Sequence, residues 1–182
     1  HQPRRQRQMC IRDSIISASL LTIFFLFMAQ KNVFAYITVL GEGDVSICYK
    51  SAKSGQGGIS AINSCLSAIN EVGITKKNLY ATYVNLGIVY NNSKRPDQAI
   101  KVLNKALEYD KTIAESLLSL GNSFYIKKNY EEAIKLYDQS LNRGLKDISA
   151  IYFNKGLVYE ILNDIKLAVN FYQKAIEIKP EY

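Results

Sequence analysis

The sequence predicts an all-α chain, an α-solenoid of antiparallel helix pairs, and three observations carry that reading. Glycines interrupt three otherwise amphipathic stretches, at Gly87, Gly121 and Gly156, spaced 34 and 35 residues apart. Three residues after each glycine stands an aromatic (Tyr90, Phe124, Tyr159), and twelve after it an alanine (Ala99, Ala133, Ala168). Seven further on another small residue recurs, at Ala106, Ser140 and Ala175. Self-similarity at such a period marks a repeat array, in which each unit buries its apolar face on the next.

The units run over 80–113, 114–148 and 149–182. Apolar spacing predicts first helices at 80–92, 114–127 and 149–161, and second helices at 96–109, 130–143 and 165–178. Pro96 suits the first turn of its helix, where a missing N–H costs nothing. Gly144 and Pro180 mark helix exits, and Asn129 and Asn163 fall in the short turns between paired helices. A glycine inside a helix costs roughly 1 kcal/mol relative to alanine. Close packing must offset it, and the expected partner of each glycine is the alanine twelve residues on. A large side chain at Gly121 would overpack that contact.

In order, these positions resemble the tetratricopeptide repeat: a large residue, Leu-Gly, Tyr, Ala, an aromatic, Ala and Pro. The third unit matches with Tyr152, Gly156, Tyr159, Ala168, Tyr172, Ala175 and Pro180. Lys155 replaces the usual Leu, Lys111 stands where a Pro is expected, and the middle unit carries one extra residue.

A fourth, irregular helix pair is expected over 36–79. GISAINSCLSAINEVG reproduces a second helix, with Ala61, Cys65 and Ala68 in the alanine, large and alanine positions. Counting back puts DVSICYKSAKS on the first helix, with Tyr49 at the small-residue position, so the unit is irregular or its register slips by a turn. Cys48 and Cys65 lie nearly equidistant from the turn at 55–57, which sets them side by side in an antiparallel hairpin. An even cysteine count behind a secretory signal reads as a disulfide; two buried free thiols are the alternative. From the cysteines to ATYVNLGIVY, the segment resembles small exported tetratricopeptide proteins of alphaproteobacteria.

Residues 15–29, IISASLLTIFFLFMA, are uncharged and apolar, and Val33 and Ala35 follow at the spacing a signal peptidase reads. The run is short for a bilayer span, which needs about 20 residues, and suits a signal-peptide core. A signal peptide over 15–35, cleaved after Ala35, and a periplasmic or secreted bacterial location are expected; an uncleaved anchor is the alternative. The membrane would be met only through this segment. Arg4 to Ser14, RRQRQMCIRDS, resembles the translated tail of a transposase adapter used in DNA sequencing libraries. Residues 1–14 are therefore set aside as an artefact, the alternative being a genuine basic n-region; on the adapter reading the true n-region is missing.

The net charge of +7 then loses its pointer to nucleic acid. Residues 1–35 hold five Lys and Arg against one Asp, four of the seven net charges. The +3 left on residues 36–182 is a mixed surface, and no nucleic-acid partner is expected. No histidine occurs in 36–182, which excludes Ser/His/Asp and Cys/His catalysis. Glu131 and Glu132 open a predicted helix, where acids suit the dipole. GQGG at 55–58 has no strand before it and reads as a turn, not a phosphate loop. Neither enzymatic activity, cofactor, metal nor small-molecule substrate is expected.

The resemblance implies a right-handed superhelix whose concave face, lined by first helices, binds an unidentified protein or peptide. By repeat position the lining is Lys50 and Lys53; Val84, Asn85, Ile88 and Asn91; Leu118, Ser119, Asn122 and Tyr125; Phe153, Asn154 and Leu157. In peptide-binding members, asparagines at the positions of Asn85, Asn122 and Asn154 hydrogen-bond the ligand backbone, since an amide both donates and accepts. The alternative is that asparagine is simply common there. The family's chaperone-binding variety holds a terminal carboxylate with lysines; Val84, Leu118 and Phe153 stand at one such lysine position, so that specificity is not expected. An envelope structural or self-assembling element is the second reading. The sequence stops at Tyr182, just after a complete repeat. Either the frame is truncated or the outer side of helix 165–178 meets a partner.

Overall fold

A computed structural model describes residues 43–110 and 113–180, all within the second of the chain's two compact units, residues 33–182. The expected signal peptide at 15–35, its cleavage after Ala35 and the adapter-like residues 1–14 lie outside the described residues.

The described residues form eight helices and no strand: α1 Asp44–Lys53, α2 Ile59–Ile69, α3 Lys76–Asn92, α4 Pro96–Tyr109, α5 Ala114–Ile126, α6 Tyr130–Asn142, α7 Ile148–Ile161 and α8 Ile165–Ile178. Consecutive helices pack as pairs, each second helix also touches the next first helix, and the first helices α1, α3, α5 and α7 neighbour one another in order. This is an all-α solenoid of helix pairs. α3 starts at Lys76 rather than at 80 because Thr75 caps it, its hydroxyl accepting the Asn78 N–H at 3.2 Å.

The same turn closes all three regular pairs. The Arg95, Asn129 and Asp164 N–H groups each donate to a carbonyl five residues back, Tyr90, Phe124 and Tyr159, at 2.9 Å. The residue before each donor is left-handed: Lys94 at φ 56°, Lys128 at 62° and Asn163 at 61°. Only at Asn163 does the sequence place a residue that tolerates this backbone well. Asn129 serves instead as an N-cap, accepting the Glu132 N–H at 3.3 Å, and Asp164 caps α8 in the same way.

The glycines pack differently from expectation. A Cβ on Gly87 would lie 2.5 Å from Leu103, and one on Gly121 or Gly156 would strike the ring of Tyr137 or Tyr172. The atoms nearest each glycine therefore belong to the large residue sixteen positions on. Ala99, Ala133 and Ala168 are buried, and the Ala133 carbonyl lies 3.2 Å from a Cβ built on Gly121. The first helix gives up a side chain so that a bulky one from the second can lie across its backbone.

In the N-terminal pair, Cys48 is bonded to Cys65 and both are buried. Cys65 holds the large-residue position, so the register slips by one residue and Cys48 takes the glycine's place. Tyr49 turns aside, half-buried near Val45, Ala68 and Ala81. The loop before α2 lies against the end of α3, where the Gly58 N–H donates to Ser93 Oγ at 2.8 Å. At Gly57 a Cβ would lie 2.9 Å from the Ser93 nitrogen, so that glycine is required by close approach.

Lys155, in place of Leu, keeps its stem in the core and puts its ammonium 2.7 Å from Asp138 of the preceding pair. The ammonium also sits 4.7 Å from the Phe171 ring centre.

Closing a 17-residue loop with a buried disulfide contributes about 3 kcal/mol in the chain-entropy model. Reduction of Cys48–Cys65 should lower the thermal midpoint of the chain, and calorimetry with and without reductant checks it. An unchanged midpoint would show that this pair stands without its bridge.

Candidate functional site

The first-helix face is positioned by buried amides. Asn91 of α3 donates to the Ser119 carbonyl of α5 at 2.9 Å, and the Ser123 hydroxyl donates back to Asn91 Oδ1 at 2.9 Å. One step along, Asn122 Oδ1 accepts from Asn154 of α7 at 2.9 Å and from the Tyr137 hydroxyl at 2.8 Å. These bonds tie α3 to α5 and α5 to α7. Burying an amide is costly unless it is paired, so each fixes the stacking of its pair on the next.

Nine of the thirteen residues expected to line the concave face are therefore not at the surface. Val84, Asn85, Ile88, Asn91, Leu118, Asn122, Asn154 and Leu157 are all at most 2% exposed. Ser119 is buried with them, whereas Lys50 and Lys53 are exposed on α1. Asn122 and Asn154, two of the three amides expected to meet a ligand backbone, bond to each other within the fold, and Asn91 is likewise bonded to α5. Besides those two lysines only Tyr125 and Phe153 of the expected lining reach solvent, half-buried.

These two belong to an aromatic patch at the junction of the second and third regular pairs. Tyr125 meets Tyr130 edge-on at 6.0 Å between ring centres, and Phe153 meets Tyr172 at 5.5 Å. The Tyr172 hydroxyl donates to Glu160 Oε2 at 2.5 Å. Glu160 is a residue the sequence reading passed over, although it stands at the repeat position of Asn91 and Tyr125; carrying that position into the third unit finds it. Tyr172 was legible only as a packing residue, and nothing in the sequence pairs its hydroxyl with Glu160.

Electrostatics keep the phenols neutral. Burial, and secondarily Tyr125, hold the Tyr137 hydroxyl well above its ordinary value near 10. Tyr172 is raised by burial first, then by its hydrogen bond to Glu160 and the charges of Glu160 and Tyr125. Tyr125 is raised by burial, then by Tyr130 and Glu160. Neutral phenols, aromatic faces and one carboxylate are gathered in this patch. Among the described residues no cluster of His, Cys, Asp and Glu could hold a metal ion, and no helix is long and apolar enough to cross a membrane.

The tetratricopeptide repeat family model matches residues 78–143 and 112–181, more than half of the chain. The chain is a tetratricopeptide repeat protein. The mitochondrial import receptor subunit TOM70 of Saccharomyces cerevisiae is 36% identical over 92 residues, covering 50% of this chain and 14% of that one. The Hsp70-Hsp90 organizing protein 3 of Arabidopsis thaliana is 32% identical over 82 residues, covering 45% of this chain and 14% of that one. This repeat protein thus spans about one seventh of the length of these curated relatives. The crystal structure of MamA matches at a TM-score of 0.56 and 24% identity, over 79% of this chain and 78% of that chain. That likeness shows the fold.

Raised tyrosine pKa values tie stability to alkaline pH with a definite sign. The folded state holds protons that the unfolded chain releases above its ordinary pKa of about 10, so stability is intact below that pH and falls above it. Tyrosinate absorbance and helicity, followed together from pH 9 to about 12, should show Tyr137 ionising only as the helices melt. Complete tyrosine titration with helicity intact would contradict the burial of that hydroxyl.

Proposed function

We propose that this repeat protein is a non-catalytic scaffold that binds a segment of another protein along its first-helix face, at the patch of Tyr125, Phe153, Tyr172 and Glu160. The observation that carries the reading is that patch: half-exposed aromatic rings gathered beside a carboxylate, over an array held rigid by buried amides. Rings of this kind take apolar anchors at small entropic cost, and aromatic residues are enriched where binding energy concentrates. The carboxylate and the phenols add directional bonds, which suits an extended or helical segment carrying apolar anchors. The relatives named as an import receptor and as an organizing protein support a role in binding proteins.

Export to a periplasmic or secreted location belongs to the same proposal. Its support is the apolar run at 15–29, followed by Val33 and Ala35, together with the Cys48–Cys65 bridge, since disulfides persist in oxidising compartments.

Peptides selected from a random display library on the full chain test the site. Tyr125→Ala and Phe153→Ala should each weaken the selected peptides about tenfold, equal to ~1.4 kcal/mol. Glu108→Ala, on the exposed side of α4, should leave them unchanged. Peptides that ignore both aromatic substitutions would overturn the placement of the site.

A further inference from the structure

The α1–α2 pair is held together unlike the three regular pairs. Its helices are only 10 and 11 residues long, and they begin at Gly43 and Gly58, which offer no side-chain cap. Helices this short are marginal in water on their own. Apart from Val45 and Ile62, every buried side chain of the pair is a cysteine, a serine or an alanine. Where the regular pairs lay Leu103 or a tyrosine across a glycine, Cys48 and Cys65 meet here, both wholly buried, with α-carbons 4.7 Å apart. In so close an approach a shared bond takes less room than two separate thiols.

This pair covers α3. Both of its helices pack on α3, and Cys48, Ala52, Ile62 and Cys65 share one core cluster with Val84 and Ile88. The α1–α2 loop is tied to the end of α3 by exposed hydrogen bonds: the Gly58 N–H donates to Ser93 Oγ at 2.8 Å, and the Asn92 amide donates to the Gln56 carbonyl at 3.4 Å. Such bonds are readily exchanged for bonds to water. The regular pairs keep their own glycine fits, and the buried amide bonds of Asn91 and Asn122 join α3 to α5 and α5 to α7. Breaking the bridge therefore loosens the α1–α2 pair and leaves the supports of the other three in place.

We infer that the Cys48–Cys65 bridge is a redox latch, whose reduction by a dithiol frees α1–α2 from α3 and bares the apolar side of α3 while the three regular pairs stay folded. Because both sulfurs are buried, attack follows a local opening of the pair. One thiolate of the reductant bonds to a bridge sulfur, and the other cysteine leaves as a thiolate that takes up a proton. The second thiol of the reductant then displaces the first cysteine. The dithiol ends as a disulfide, and its two protons end on Cys48 and Cys65.

Hydrogen exchange read by mass spectrometry tests this on the full chain carrying Cys10→Ser, which removes the third cysteine. With dithiothreitol, and with reduction verified by thiol alkylation, amides of 44–69 should exchange about a hundredfold faster, the factor expected for losing a 17-residue closed loop. Amides of 96–109, 114–126 and 130–142 should keep their protection, and an apolar dye should brighten as α3 is bared. Cys48→Ser with Cys65→Ser should show the same fast exchange without reductant and no further change with it. A bridge that resists dithiothreitol in the folded chain, or protection of 44–69 that survives complete reduction, overturns the latch. Loss of protection along the whole chain overturns its confinement to α1–α2, and a dye that stays dark overturns the baring of α3.

Discussion

Each regular helix pair rests on one steric fit, a bulky side chain of the second helix laid across a glycine of the first. Leu103 on Gly87, Tyr137 on Gly121 and Tyr172 on Gly156 repeat it three times. A glycine costs a helix interior roughly 1 kcal/mol, about the scale of one small packing defect. The fit prevails because the side chain received is large and buried, so that many dispersion contacts replace the missing methyl. Where the glycine is absent, in the α1–α2 pair, a covalent bridge holds the same place.

The rest of the architecture follows from that fit. Once each pair is closed, the first helices stand side by side, near enough for Asn91, Asn122 and Asn154 to bond across to their neighbours. Those bonds draw the amides inward and leave larger residues at the edge. The Tyr137 ring that fills the gap at Gly121 also delivers a hydroxyl to Asn122, so one side chain closes its own pair and helps align the next. Tyr172 does the analogous thing at Gly156, but its hydroxyl reaches Glu160 at the margin of the surface. Packing code and aromatic patch share residues.

The fold was legible because it is written in period. Glycine, aromatic and alanine recurring in step identify paired helices without any knowledge of contacts, and the ends of α4 and α8 fall where the sequence places them. What faces what was less legible. A spacing of twelve or of sixteen residues both return to the opposite helix, and only coordinates distinguish an alanine that lies nearby from a ring that lies on top. The lining residues suffered from the same limit. Repeat position says which way a side chain points, not how deeply the neighbouring pair covers it, so Val84 and Ile88 were read as surface. Tyr125 and Phe153 keep part of their rings at the surface. Lys155, a departure from the family pattern, is explained by Asp138 and Phe171, which come from different helices.

A double-mutant cycle between Gly121 and Tyr137 probes the founding fit most directly. Gly121→Ala alone should destabilise the chain by about 1–3 kcal/mol through overpacking, and Tyr137→Ala alone by about 3–5 kcal/mol through the cavity it leaves. In the double variant the added methyl enters the vacated space, so the combined cost should fall short of the sum by at least ~1 kcal/mol in denaturant unfolding. Strict additivity would mean that the glycine and the ring do not meet, and the account of how these pairs close would be wrong.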